Sequence, residues 1–371
     1  MPGLARGMPM TDPWEQRPQR GAEEARAARR AQARRRRYRQ RRGLALALAG
    51  AVVAIIAIAA LGSGGSRSRQ KTSGRSGARA GTHAATAIRI VPTGTLPAPV
   101  QFPAAAALAD GRVVLLGGLD SSESSTAAIT TLSGGRAAAD GTLPVPQHDA
   151  QAAALANAIF LFGGGAVESY DHILRFDPAS GQVTQAGSLP QPASDVAVAA
   201  VGETAYVIGG YNGTTALDTI VSWSPGGPAR VVARLPVALR YAAAASVDGR
   251  VVIAGGSREA TPEDEILSFD PTTGAVLQIG HLPAPLTHAT AATLGSTVYV
   301  VGGRGAASGS QTASVLAIDP RSGLVRLAGR LQQGISDAAA VASQGAIVVA
   351  GGRTAAGPQA GVFRLQAVAA P

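Results

Sequence analysis

Residues 143–190 read LPVPQHDAQAAALANAIFLFGGGAVESYDHILRFDPASGQVTQAGSLP, one full turn of a repeat that runs through most of the chain. An alanine-rich run follows Leu143-Pro144, a second apolar run ends in Gly163-Gly164, and a third ends at Asp177-Pro178. Asp and Pro stop a strand, the first by bonding its own backbone and the second by lacking a donor. The double glycine recurs at Gly117-Gly118, Gly209-Gly210, Gly255-Gly256, Gly302-Gly303 and Gly351-Gly352, at spacings of 46, 46, 46, 47 and 49 residues. Leu96-Pro97, Leu143-Pro144, Leu189-Pro190, Leu235-Pro236, Leu282-Pro283 and the degenerate Leu331-Gln332 keep the same beat, 20 or 21 residues ahead of each double glycine. Two markers in phase define a repeat of four short antiparallel strands, the blade of a β-propeller.

The predicted fold is therefore all-β, six blades over residues 86–371. After Gly351-Gly352 only one further strand fits, near residues 361–367, so the sixth blade lacks its fourth. AIRIVPTGTLP, residues 87–97, matches the fourth-strand pattern of GQVTQAGSLP. The N-terminal strand is expected to complete the last blade and remove its exposed edge.

The double glycine, the period and the turn at Phe176-Asp177-Pro178, Trp223-Ser224-Pro225, Phe269-Asp270-Pro271 and Ile318-Asp319-Pro320 resemble the Kelch-repeat family. The chain departs from it where Phe, Trp or Ile stands for the usual third-strand Tyr, and where the usual fourth-strand Trp is absent. No blade carries a Trp-Asp pair.

Charge divides the chain. Residues 1–85 carry 18 Lys and Arg against 4 Asp and Glu, leaving 15 against 19 for the remainder of the totals of 33 and 23. The propeller is thus about −4 and lacks the basic stripe a phosphate backbone needs, so nucleic acid is excluded as its partner. Leu44 to Leu61 is 18 residues of Leu, Ile, Val, Ala and Gly without a charge, long enough to span hydrocarbon. Twelve arginines between Arg17 and Arg42 place the N-terminus in the cytoplasm. The sequence predicts an Arg-rich cytoplasmic segment (1–42), one transmembrane helix (43–62) and a Ser/Gly/Arg tether (63–85). The expected location is the plasma membrane, single-pass, with the propeller extracytoplasmic. A cleaved signal, or twin-arginine export on Arg41-Arg42, is the competing reading; the long basic segment and long apolar stretch favour the anchor.

The chain has no cysteine, which excludes disulfides, thiolate metal sites and cysteine nucleophiles. It also excludes the Cys-Tyr cross-link on which Kelch-containing copper oxidases depend. No GxSxG motif, metal-spaced His pair or acidic calcium loop is present, so no metal or cofactor is expected.

The Kelch resemblance points to two loop sets at one end of the channel. The loops entering the inner strands carry Gln101-Phe102, His148-Asp149, Ser194-Asp195, Arg240-Tyr241, Thr287-His288 and Ser336-Asp337. Those after the glycines carry Tyr211-Asn212, Ser257-Arg258, Arg304 and Arg353. Candidate ligand-binding residues are His148, Asp149, Asp195, Tyr211, Asn212, Arg240, Tyr241, Arg258, His288, Arg304, Asp337 and Arg353. Polar and aromatic side chains at equivalent positions converge on one rim; turn capping is the plainer role for any single Asp or Ser among them. The expected function is non-catalytic binding of a glycan or protein. The alternative, similar to the six-bladed Kelch sialate mutarotases, is a sugar epimerase, weakened because Glu123, Glu168, Glu259, Glu263 and Glu265 are assigned to outer loops.

Overall fold

The computed structural model describes residues 86–369. The Arg-rich segment, transmembrane helix and tether expected over 1–85 lie outside the described residues. No helix among the described residues is long and apolar enough to cross a membrane.

Six four-stranded antiparallel sheets form the six-bladed propeller. Blade 1 runs outward from Ala104–Ala107 through Val113–Leu116 and Ala128–Ser133 to Arg136–Thr142. Blades 2 to 5 repeat this order, with inner strands Gln151–Leu155, Ala197–Val201, Ala243–Val247 and Thr290–Leu294. Blade 6 joins Ala339–Ser343, Ala346–Ala350 and Gly361–Ala369 to Thr86–Thr95. In that last pairing Ile88 lies opposite Ala367 and Ile90 opposite Leu365, which is the closure expected from the sequence.

The double glycines make the blade-to-blade seams. The N–H of each second glycine donates to a carbonyl of the next blade's entry loop: Gly210 to Leu239 at 2.8 Å, for example, and Gly352 to Val100 at 2.7 Å. A Cβ on the first glycine would fall 2.3 Å from that same carbonyl oxygen at Gly209 and 2.6 Å from it at Gly351. Both glycines have positive φ, so only a residue without Cβ permits this approach. The Leu of each Leu-Pro marker is buried, and several touch the first glycine of the pair, Leu143 Cδ1 standing 3.4 Å from the Cβ position of Gly117.

Apolar clusters fill the wedges between neighbouring blades rather than the blades themselves. Between blades 2 and 3, Trp223 packs on Phe160 and Phe162 with ring centroids 4.9 and 5.6 Å away. The third-strand positions Phe176, Trp223, Phe269 and Ile318 are almost wholly buried, and the indole N–H of Trp223 has no hydrogen-bond partner there. Burying a Leu, Ile or Phe of this kind contributes about 1.5–3 kcal/mol each.

Alternate residues of the inner strands face the channel. Three positions beyond the entry residue stand Ala105, Ala152, Val198, Ala244, Ala291 and Ala340; five beyond stand Ala107, Ala154, Ala200, Ser246, Thr293 and Ala342. These two tiers of small side chains leave a cavity of about 340 Å³ along the axis.

Candidate functional site at the channel mouth

The loop entering each inner strand crosses the channel mouth in the same conformation six times. Phe102, Asp149, Asp195, Tyr241, His288 and Asp337 hold equivalent positions, and each has φ between 53° and 60°. Left-handed backbone costs a non-glycine residue roughly 1–2 kcal/mol, so six such residues in register are held by their surroundings. Backbone hydrogen bonds run around the ring: Asp195 N–H to Asp149 C=O, Tyr241 to Asp195, His288 to Tyr241, Asp337 to His288, and Phe102 to Asp337, all between 2.8 and 3.2 Å. The last of these joins blade 1 to blade 6.

Above this ring each preceding residue bridges to the segment after the double glycine. Ser194 pairs with Tyr211, Arg240 with Ser257, Thr287 with Arg304 and Ser336 with Arg353. The two loop sets read from the sequence therefore meet within every blade, an outer rim over an inner ring.

The ring side chains close on the axis. Phe102 of blade 1 reaches Tyr241 of the opposite blade 4 at 6.0 Å between centroids and His288 at 5.9 Å, while Tyr241 and His288 stack at 3.8 Å. Asp195 is buried and pairs with the Arg240 guanidinium, which in turn lies 4.1 Å over the Tyr211 ring. The Tyr241 hydroxyl faces Asp149 Oδ2 at 3.4 Å. Arg304 Nη2 donates to His288 Nε2 at 3.0 Å, which fixes that nitrogen as an acceptor and places the ring proton on Nδ1, 3.0 Å from Thr287 Oγ1.

Burial sets the proton affinities here. His288 is pushed down to about 3 by burial and by the Arg304 and Arg240 guanidiniums, and stays neutral. Asp149 is raised well above the usual carboxylate range by burial and by the neighbouring Asp195 and Asp337 carboxylates. Burial raises Asp337 to about 6, against the Ser336 hydroxyl 2.6 Å from its Oδ2 and the charges of Arg304 and Arg353. His148 is lowered by burial despite Asp195; its Nδ1 lies 2.9 Å from Ser125 Oγ and its Nε2 3.5 Å from Asp149 Oδ2. Among the described residues no three His, Cys, Asp or Glu side chains are grouped to hold a metal ion.

Of the residues singled out in the sequence, His148, Asp149, Asp195, Tyr211, Arg240, Tyr241, His288, Arg304 and Asp337 share this mouth. Arg353 stands at its edge, donating to Gln101 Oε1 and Glu123 Oε1 at 3.3 and 2.9 Å. Asn212 instead caps its own turn, its Oδ1 accepting from the N–H groups of Thr214 and Thr215 at 3.0 and 2.8 Å. Arg258 pairs with Glu263 at 3.1 Å within a short hairpin. Sequence reasoning missed Ser125 and assigned Glu123 to an outer loop, whereas its carboxylate reaches the rim through Arg353. Both lie in a variable loop with no repeat marker.

Fold and mouth together define a six-bladed Kelch-type β-propeller whose channel is capped by a buried ring of carboxyl and aromatic side chains. A family model of the Kelch motif matches residues 192–227, which cover the first three strands of blade 3. The solved structure of YjhT is similar, at 15% identity and a TM-score of 0.64, over 74% of this chain and 98% of that one. No curated protein matches.

Proposed function

We propose that this chain is a membrane-anchored binding protein that presents its propeller outside the cytoplasm and engages a glycan or protein ligand at the outer rim. The observation that carries the reading is the prearranged Tyr211, Arg240 and Asp195 stack, a guanidinium held flat against an aromatic ring by a buried carboxylate. Such a group loses little freedom on binding. Arg304 adds a guanidinium with no carboxylate within ion-pair distance among the described residues. Anchoring is supported by the apolar stretch 44–61 and the arginines before it. The full chain should therefore sediment with membranes and resist alkaline extraction, with the propeller open to protease from the outer side.

The test of the rim is a binding screen against arrayed glycans and envelope extracts, run beside the double variant Arg240→Ala, Arg304→Ala. Saturable binding lost in the variant supports the reading; binding indifferent to both substitutions defeats it. A second reading, sugar anomer interconversion or epimerisation, is favoured by one feature: burial raises Asp149 well above the usual carboxylate range and Asp337 to about 6, toward what a general acid needs. Magnetisation-exchange NMR on candidate sugars with added protein would reveal accelerated interconversion if that chemistry occurs.

A further inference from the structure

We propose that the channel beneath the ring is a binding site for a slender aliphatic ammonium ion, its cationic head at Asp149 and Asp337 and its chain between the two tiers of alanines. This goes beyond the rim reading and does not depend on it.

Asp149 Oδ1 and Asp337 Oδ1 are buried with no hydrogen-bond partner. Their side chains are 9% and 3% exposed, and both line the axial cavity. Leaving a buried acceptor unpaired is unfavourable, so each is an open position for a donor. Charge selects that donor. Asp149, Asp195 and Asp337 line the cavity, and no Arg or Lys does; Arg240 pairs with Asp195 and Arg304 bonds His288, while among the described residues neither Asp149 nor Asp337 has an Arg or Lys within ion-pair distance. His288, which also lines it, has its Nε2 taken by Arg304 and carries no charge. With no grouping suited to a metal ion among the described residues, an organic cation fits better.

Shape selects the rest. Below the ring the inner strands present small side chains, Ala or Val at ten of the twelve positions of the two tiers and Ser246 and Thr293 at the others, beside Gln151, Thr290 and the strands' open backbone edges. Thr293 Oγ1 is spent on the Ser246 carbonyl at 2.7 Å. Small side chains leave room for a narrow chain, and the exposed Ala154 and Ala342 mark the end of the channel away from the ring as its entrance.

Binding is linked to protons. Asp337 faces His288, Ser336, Arg304 and Arg353; Asp149 faces His148, Asp195, Tyr241 and Asp337. An ammonium head stabilises the ionised carboxyls, so complex formation releases protons and strengthens as pH rises through Asp337's range near 6.

The test is calorimetric titration of the full chain in detergent with butylammonium chloride, and separately with butan-1-ol. The expected result is saturable binding of the amine at pH 8, at least tenfold weaker at pH 5, and at least tenfold weaker for butan-1-ol. Asp337→Asn should cost the amine tenfold or more, and Ala291→Leu, which narrows the upper tier, should abolish it. If either variant fails to fold, the pH and alcohol comparisons on the unaltered chain still decide. Equal affinity for amine and alcohol, or no saturable binding at pH 8, overturns the proposal and leaves the channel to water.

Discussion

A carboxyl held protonated by burial leaves a signature in the pH dependence of stability. Asp337 sits near 6 in the folded protein against 3.8 ordinarily, so its folded pKa is raised and it stabilises the fold only while protonated. Stability is lost as pH rises from about 4 through 6, by on the order of 2–3 kcal/mol for a shift of this size. His288 opposes it: held neutral down to about 3, it costs stability as pH falls below the unfolded value near 6.5. The two trends offset in the unaltered protein and separate in a variant. Asp337→Asn should gain in melting temperature relative to the parent between pH 4 and pH 7.5, and a constant offset across that range would remove Asp337 as the titrating group.

Glycine positions allow a second comparison at this scale. Gly209 and Gly213 both have positive φ, but a Cβ at Gly209 meets a backbone oxygen at 2.3 Å while one at Gly213 meets nothing within 4 Å. Gly213→Ala should cost only the left-handed strain, about 1 kcal/mol, and Gly209→Ala clearly more, at least about 2 kcal/mol. Denaturant melts of the pair measure the difference. Most of the mouth was legible because its residues keep a fixed distance from Leu-Pro. Asn212 and Arg258 stood in the right loops, yet a sequence does not show that one side chain caps its own turn and the other pairs within its hairpin. The left-handed ring was illegible for a related reason: Asp and His adopt positive φ more readily than most residues, but Phe102 and Tyr241 at the same position do not, so no shared composition marks it.

At the scale of strands, the fold was readable because each marker has a mechanical partner. Leu-Pro and Gly-Gly recur in step since the leucine packs on the glycine pair and the pair bonds the next blade. The closing strand was readable through its match to other fourth strands, and it buries Ile88 against blades 5 and 6. Deleting residues 86–95 removes nine paired residues and reopens an edge. The expected cost is a fall in melting temperature of about 10 °C or more, which corresponds to several kcal/mol for a domain of this size; an unchanged melt would mean that blade 6 is complete without this strand.

Across the whole propeller, each apolar cluster belongs to two neighbouring blades. No blade owns a core, so the six should unfold together. Scanning calorimetry is expected to give one transition with matching calorimetric and van't Hoff enthalpies, and resolved transitions would show that groups of blades stand alone.

The pairing of Thr86–Thr95 with Gly361–Ala369 also imposes a timetable. The first strand of the propeller to leave the ribosome can find its mate only after some 275 further residues have been made, a delay of about 15–55 s at ordinary elongation rates. Throughout that interval a ten-residue edge stands open, at the moment when several blades of the same four-stranded order emerge beside it. A nascent chain in this position needs its early strand shielded, by a chaperone or by delayed release, more than it needs help with any single blade.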